Sequence, residues 1–190
     1  MSQGKRLGNS FRELKNVYSL TAVAMLLALR VVLGIFANGT LAFFGNNVKI
    51  TFAFVPISVA GAMFGPFSAA LVGGLGDIIS FLLQPAPGGY FPGFTISGII
   101  TGIIYGCVFY KNKVTLPRVI IAWIINMLLV ETFLAAYWLY CLNAASAPYS
   151  FYLITRFVSV GFKCLPEILL IFATGKICER IKLPTKSKKK

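Results

Sequence analysis

The chain has 190 residues, of which 57% are hydrophobic and only 12% are charged, and its mean hydropathy is +0.81. This composition leaves too few polar side chains to cover a water-soluble domain, so it excludes a soluble globular protein. The net charge of +13 does not indicate nucleic-acid binding, because the basic residues lie at the ends of apolar stretches. We therefore expect one integral membrane domain over residues 1–190, with no nucleic-acid partner.

Several classes of site are also excluded by the residue inventory. There is no histidine, and the four cysteines are scattered without CxxC spacing, so neither a metal site nor a histidine-dependent catalytic site is expected. The sequence has no phosphate-binding glycine loop and no nucleophile paired with a base. We expect no enzyme activity and no cofactor in this chain, and any use of ATP requires a partner.

Apolar stretches recur along the chain, and about 20 apolar residues cross a bilayer as a helix. They predict an all-α fold with six transmembrane helices. The second stretch is short and meets the third at Gly65-Pro66, so these two helices should be neighbours. The last two are longer than a straight crossing requires, which indicates tilt or extension beyond the membrane. In chain order, a basic lead (1–15) precedes predicted helices at 17–36, 50–64, 66–84, 91–110, 116–142 and 150–177, and a basic tail (178–190) follows.

Positive charge is distributed unevenly over the predicted connections. Fourteen of the 18 Lys and Arg residues lie in one set of loops and tails, whereas Lys49 stands alone in the opposite set and Arg30, Arg156 and Lys163 lie within spans. The positive-inside rule therefore predicts that both termini are cytoplasmic. The basic ends also suit contact with anionic membrane lipid.

A lone acid followed by a turn and aromatic residues makes residues 76–97 a candidate binding segment. Asp77 lies in an apolar stretch, and the breaker cluster PAPGG at 85–89 turns the chain on the outer face. The chain then returns with ring faces and small hydroxyls, which suit a flat polar ligand, although an aromatic cluster alone is more typical of a membrane belt. The candidate residues in this return are Tyr90, Phe91, Phe94 and Thr95.

Six ionisable side chains lie inside the predicted spans, where charges are rare and often functional. At about 1.5 Å per residue, Arg30, Asp77 and Arg156 each lie about 10 Å below the outer surface. They form either a buried salt bridge or an outward-facing site, in which arginine binds carboxylates and Asp77 accepts from an amino-imino ring edge. A deeper structural cluster is predicted from the other three, Lys163, Glu131 and Glu167.

Small residues at four-residue spacing predict close helix packing, either within the chain or against a partner subunit. The pairs and runs are Ala24 with Ala28, Gly61 with Gly65, and Gly98 with Gly102 and Gly106.

Several blocks resemble the S components of energy-coupling factor (ECF) vitamin transporters, and the resemblance covers nearly the whole chain. AMLLA at 24–28 and ISVAGAMFGP at 57–66 are similar to the superfamily as a whole. GGLGD at 73–77, followed by YFPGFTIS at 90–97, resembles the folate-specific branch.

The resemblance implies a substrate-binding membrane subunit in the plasma membrane of a prokaryote. Such a subunit captures a vitamin at the outer face, and a transmembrane coupling subunit with two ATPase subunits topples it to carry the site inward. Ala24 and Ala28 correspond to the docking surface for the coupling subunit. An S component for riboflavin or thiamin, and an intramembrane enzyme acting on lipid, are the alternative interpretations.

For folate or a related pterin, the resemblance implies a role for each candidate residue. Asp77 would accept from the pterin edge, and Phe91 or Phe94 would stack on the ring. The glutamate end would meet Arg30, Arg156 or Lys49, and residues 37–49 would form a mobile lid.

Overall fold

The computed structural model describes residues 16–36, 38–40, 49–85, 89–142 and 148–181. Helices dominate this part of the chain, and one short antiparallel hairpin connects the first helix to the second. In chain order the elements are α1 (Val17–Phe36), β1 (Asn38–Thr40), β2 (Lys49–Thr51), α2 (Phe54–Phe64), α3 (Pro66–Leu83), α4 (Pro92–Phe109), α5 (Leu116–Asn126), a π-helical segment (Met127–Leu134), α6 (Ala135–Leu142) and α7 (Tyr149–Ile181).

Within the described ranges, four helices are long and apolar enough to cross a membrane. They are Val17–Ile35, Pro66–Leu83, Pro92–Phe109 and Leu116–Leu142, the last of which joins α5, the π-helical segment and α6. Helix α7 is a fifth candidate if its two bent halves count as one span. With 11 residues, α2 extends over about 16 Å, roughly half of the hydrocarbon thickness. The chain is therefore a multi-pass, largely helical membrane protein.

The hairpin departs from the predicted all-α fold. Residues 50 and 51, which were expected to begin the second helix, instead lie in β2 and pair with Gly39 and Asn38 of β1. Helix α2 begins only at Phe54. Ile50 and Thr51 are β-branched and favour a strand, but a hydropathy criterion joins them to the apolar helix that follows. Residues 37 and 41–48, which belong to the predicted lid, lie outside the described residues.

Helices α3 and α4 pack through glycines on both sides. A Cβ atom added to Gly98 would lie 2.7 Å from the carbonyl oxygen of Gly73, and one added to Gly61 on α2 would lie 2.8 Å from the backbone nitrogen of Gly106. A Cβ at Gly102 would overlap the backbone of Ala69. Because only hydrogen fits at these positions, the backbones approach closely. These glycines therefore pack within the chain.

Two backbone features set the directions of the helices. Gly65 has φ 92°, a conformation that favours glycine, and it turns the chain from α2 directly into α3. In α7, the halves Tyr149–Gly161 and Lys163–Arg180 meet at 53°. Pro166 lies inside this helix and cannot donate to the carbonyl four residues earlier, at position 162, which accounts for a bend at that point.

Candidate functional site

A cavity of about 290 Å³ lies among the helices and contains most of the ionisable groups found inside the spans. Its volume is close to the lower end of the range for small-molecule sites, about 300–1,000 Å³. Its lining combines charged, amide and hydroxyl groups with aliphatic and aromatic side chains. The lining residues are Arg30, Ala53, Phe54, Ile57, Asp77, Phe94, Ser97, Gly98, Thr101, Asn126, Val130, Glu131, Ala135 and Arg156.

Arg30 reaches the cavity from α1 by crossing the surface of α3 at Gly76. A Cβ at Gly76 would lie 2.8 Å from Nη1 of Arg30 and 2.9 Å from its Nε, so glycine is needed for the guanidinium to pass. The Arg30 side chain is only 9% exposed, and its Nη2 lies 3.9 Å from Oδ1 of Asp77. Its Nε is buried and has no hydrogen-bond partner among the described residues. This guanidinium thus keeps unused donor capacity beside the cavity.

Two hydroxyl groups form a chain of hydrogen bonds that ends at the Asp77 carboxylate. The hydroxyl of Thr95 donates to Oδ2 of Asp77 at 2.8 Å, and the Thr95 and Tyr90 hydroxyl oxygens are 2.7 Å apart. Tyr90 and Thr95 do not line the cavity. In the structure they can orient the carboxylate, with Oδ1 on the side of Arg30. Their direct contact with a ligand stays a prediction.

Of the two phenylalanines in the return at 90–97, one lines the cavity and the other packs against it. Phe94 lines the cavity. Phe91, the other ring predicted to stack on a ligand, packs against Phe94 with ring centroids 6.0 Å apart and against Trp138 at 5.5 Å. The Trp138 indole N–H donates to the Ser97 hydroxyl at 3.0 Å, which ties α6 to the cavity wall.

The π-helical segment and its ends supply cavity residues that the sequence did not indicate. Asn126, Val130, Glu131 and Ala135 all line the cavity. They lie four or five residues apart along the chain, and i→i+5 hydrogen bonding brings such positions onto one side, whereas a regular α-helix would turn them progressively away. Short π-helical stretches occur frequently at functional sites.

Glu131 and Arg156 face the cavity without a hydrogen bond or an ion pair to any described residue. Glu131 was expected in the deeper cluster, and it does interact electrostatically with Glu167, but it also lines the cavity. Together with Arg30 and Asp77, the two residues give the cavity two guanidinium and two carboxylate groups.

The deeper cluster forms in part, because Glu167 lies within electrostatic range of both Glu131 and Lys163. Within the described residues, Glu167 accepts a hydrogen bond from the indole N–H of Trp123 at 2.8 Å, and no ion pair joins Glu167 to Lys163. Lys163 is 6% exposed, and neither residue lines the cavity. A charge within a span is therefore not by itself evidence of a ligand site in this molecule.

Three further candidate residues lie away from the cavity or outside the described side chains. Lys49 forms part of β2 and pairs through its backbone with Thr40, but the structure does not describe its side chain. Ala24 and Ala28 are exposed on α1 and take no part in the glycine packing of α2, α3 and α4.

The family is settled by a match over most of the chain. Residues 18–176 match the family model described as "ECF transporter, substrate-specific component". The chain belongs to this family of S components. An S component is a transport subunit, so the chain is not an enzyme, and the alternative of an intramembrane enzyme acting on lipid is set aside.

Two curated relatives of this S component carry the name folate transporter FolT. The protein from Clostridium novyi (strain NT) is 33% identical over 139 residues, which cover 73% of this chain and 79% of the relative. The protein from Leuconostoc mesenteroides subsp. mesenteroides is 32% identical over 118 residues, which cover 62% of this chain and 60% of the relative.

Solved structures show the same architecture. The S component superposes on the crystal structure of FolT bound with folic acid with a TM-score of 0.72 and 29% identity, covering 90% of this chain and 96% of the other. The S component for biotin from an ECF-type ABC transporter gives a TM-score of 0.63 at 19% identity, covering 94% and 95% of the two chains. At that identity the second match shows the fold alone.

Proposed function

We propose that this S component captures folate or a closely related pterin in the cavity beside Arg30 and Asp77. The observation that carries the proposal is the lining itself, in which guanidinium and carboxylate groups with unused hydrogen-bonding capacity lie beside the ring of Phe94. A folate has a flat ring with an amino-imino edge at one end and two carboxylates at the other. The relatives named folate transporter and the FolT structure with folic acid support the same ligand class.

Each end of the ligand has a chemically matched partner. The carboxylate of Asp77, oriented by Thr95, accepts the paired donors of the pterin edge, and Phe94 offers a stacking face. Arg30, whose Nη2 lies 3.9 Å from Oδ1 of Asp77, lies at the same end of the ligand and can donate to the acceptors of the ring. Arg156 binds a glutamate carboxylate at the other end, since a guanidinium pairs with a carboxylate through two parallel hydrogen bonds. Lys49, in the outer hairpin, is a further cation for that end.

In the membrane, we place both termini in the cytoplasm and count six spans, with the short α2 as the second. The distribution of Lys and Arg supports this orientation, with fourteen such residues on one side and Lys49 on the other. The hairpin β1–β2 and the connection between α3 and α4 then lie outside the cell. The membrane in question is the plasma membrane of a prokaryote.

Transport itself requires partners, because no ATP-binding motif is present in the sequence. We propose that α1 docks on the ECF transmembrane coupling subunit, which acts with two ATPase subunits to topple the S component. Only 22% of the residues in the α1 span are buried within the chain, compared with 39% in each of the other three continuous spans. The exposed Ala24 and Ala28 leave a shallow strip on this face that a partner helix can approach closely.

A ligand panel tests the substrate. Calorimetry on the purified S component with folic acid, riboflavin and thiamin should show tight binding of folic acid alone. Tight binding of riboflavin or thiamin without folic acid would overturn the assignment and leave the family unchanged. Mass spectrometry of the small molecule released on denaturation provides an independent measurement.

Docking can be separated from substrate capture by a bulky substitution on α1. We expect Ala24→Trp to block assembly with the coupling subunit and uptake in reconstituted vesicles, because the indole fills the strip between the helices. Folic acid affinity should stay within about twofold of the parent, since Ala24 does not line the cavity. Ile121→Trp, on a side chain of α5 that is 52% exposed, is the matched control and should assemble normally. Normal assembly of Ala24→Trp would exclude this face as the docking surface.

A further inference from the structure

We infer that a second, basic cavity binds the headgroup of an anionic phospholipid. It measures about 480 Å³ and lies where the connection between α4 and α5 meets the end of α7. The inference is independent of the ligand proposed for the cavity beside Arg30 and Asp77, and it uses the proposed orientation only to place the lipid in the cytoplasmic leaflet. The residues that line the basic cavity are Lys111, Asn112, Lys113, Lys176 and Glu179.

The charges of the basic cavity do not cancel. Three lysines and one glutamate give its lining a net charge of +2. The Glu179 carboxylate is already engaged, since its Oε2 lies 3.6 Å from Nζ of Lys176 and its Oε1 accepts from the backbone N–H of Val114. Lys111 and Lys113 form no ion pair with any described residue. The basic cavity therefore carries unpaired positive charge, which suits a phosphate group.

The connection between α4 and α5 holds its two lysines in a fixed backbone geometry. At its ends, Tyr110 and Val114 are each only 2% exposed. Between them, Lys111 has φ 58°, which is uncommon outside glycine, and the side-chain amide of Asn112 donates to the carbonyl oxygen of Val108 at 2.9 Å. Nζ of Lys111 lies 4.9 Å from the centroid of the Tyr110 ring, a contact that orients the ammonium group without neutralising it. Lysines that serve only to keep a loop in the cytoplasm require no such geometry.

An apolar face of α7 leads from the basic cavity into the membrane, which indicates a lipid rather than a soluble anion. Leu165, Leu169 and Phe172 precede Lys176 by eleven, seven and four residues, a spacing that puts them on the same side of the helix as the lysine. Leu165 and Leu169 are exposed, and Nζ of Lys176 lies 5.7 Å from the centroid of the Phe172 ring.

The length of this apolar face fits one leaflet. From Leu165 to Lys176 the helix rises by about 16 Å, and one leaflet contains roughly 15 Å of hydrocarbon. An acyl chain can therefore lie along the leucines while the headgroup reaches the lysines. Basic pockets at the cytoplasmic ends of membrane helices bind anionic headgroups in this way.

Native mass spectrometry of the purified protein tests the site. The protein is held in micelles of a neutral detergent with equal amounts of phosphatidylglycerol and phosphatidylcholine that have the same acyl chains, and the ratio of the two bound lipids is measured. The variants are Lys113→Gln and the double variant Lys111→Gln/Lys113→Gln. Arg180→Gln is the matched control, because Arg180 is an exposed cation in the last turn of α7 and does not line the basic cavity.

We expect the parent to retain phosphatidylglycerol about tenfold or more over phosphatidylcholine. Lys113→Gln should lower this ratio about fivefold, the double variant should bring it close to one, and Arg180→Gln should leave it within about twofold of the parent. The melting temperature should be the same for all of these proteins, since the substituted side chains are exposed.

An equal fall in the ratio for Lys113→Gln and Arg180→Gln would overturn the site, because it indicates attraction to the overall positive charge of this end of the protein. An unchanged ratio in the double variant would also overturn it, and loss of assembly with the coupling subunit in that variant would assign the lysines to a protein partner instead. Displacement of phosphatidylglycerol by inorganic phosphate, but not by chloride at the same ionic strength, would assign the basic cavity to a soluble anion.

Discussion

Helices α3 and α4 form two regions of opposite character, the glycine contact between their backbones and the wall of the cavity beside it. In the contact, Gly73 and Gly98 leave no room for a side chain. At the cavity, Asp77 on α3 and Thr95 on α4 carry polar groups, and the hydrogen bond between them joins the two helices. Close backbone packing therefore fixes the position of Thr95, and Thr95 in turn orients the Asp77 carboxylate that lines the cavity.

The largest effect should come from the glycine contact. Gly98→Ala places a Cβ 2.7 Å from the carbonyl oxygen of Gly73, which forces two backbones apart. We expect severe destabilisation, seen as a lower melting temperature and a poor yield of monodisperse protein. Gly161→Ala is the matched control, because an added Cβ there meets nothing within 4 Å. Equal stability of the two variants would mean that the contact is not a rigid scaffold.

The next largest effect should come from the cavity wall and should be one of affinity. Asp77→Asn removes the charged acceptor for the pterin edge, and we expect folic acid binding to weaken about 10- to 100-fold in calorimetry. Glu167→Gln is the control, because it neutralises another carboxylate in an apolar helix, and Glu167 does not line the cavity. Unaltered affinity in Asp77→Asn would assign that residue a structural role only.

The smallest effect tests the hydrogen bond that joins the two regions. Thr95→Val keeps the side-chain shape but removes the donor to Asp77, and we expect a loss of affinity of about two- to tenfold. Thr95→Ser should restore most of it. In an Asp77→Asn background the Thr95→Val substitution should have little further effect, because the two residues act as one unit. Additive losses would show that Thr95 contacts the ligand by itself.

Hydropathy and charge predicted the helical membrane fold and part of the cavity lining. Four of the predicted stretches contain helices long and apolar enough to cross a membrane, and counting residues from the outer ends placed Arg30, Asp77 and Arg156 at one depth. The structure brings these three side chains to the same cavity. Depth can be counted along a regular helix because the rise per residue is constant.

Departures from regular helical geometry account for what was missed. Glu131 was grouped with Lys163 and Glu167 by depth alone, and its place on the cavity wall was not predicted because it lies in the π-helical segment. The hairpin was missed because Ile50 and Thr51 are as apolar as a helix start requires. The hydrogen bonds from Tyr90 through Thr95 to Asp77 were not predicted, because composition cannot tell whether a hydroxyl faces a ligand or a neighbouring carboxylate.

The two indole hydrogen bonds have an optical consequence. Trp138 donates to Ser97 on the cavity wall, and Trp123 donates to Glu167, which lies outside the cavity. They are the only two tryptophans in the sequence. Tryptophan fluorescence therefore has one emitter beside the cavity and one away from it. The protein thus carries its own reporter and its own reference for following occupancy in real time without an attached dye.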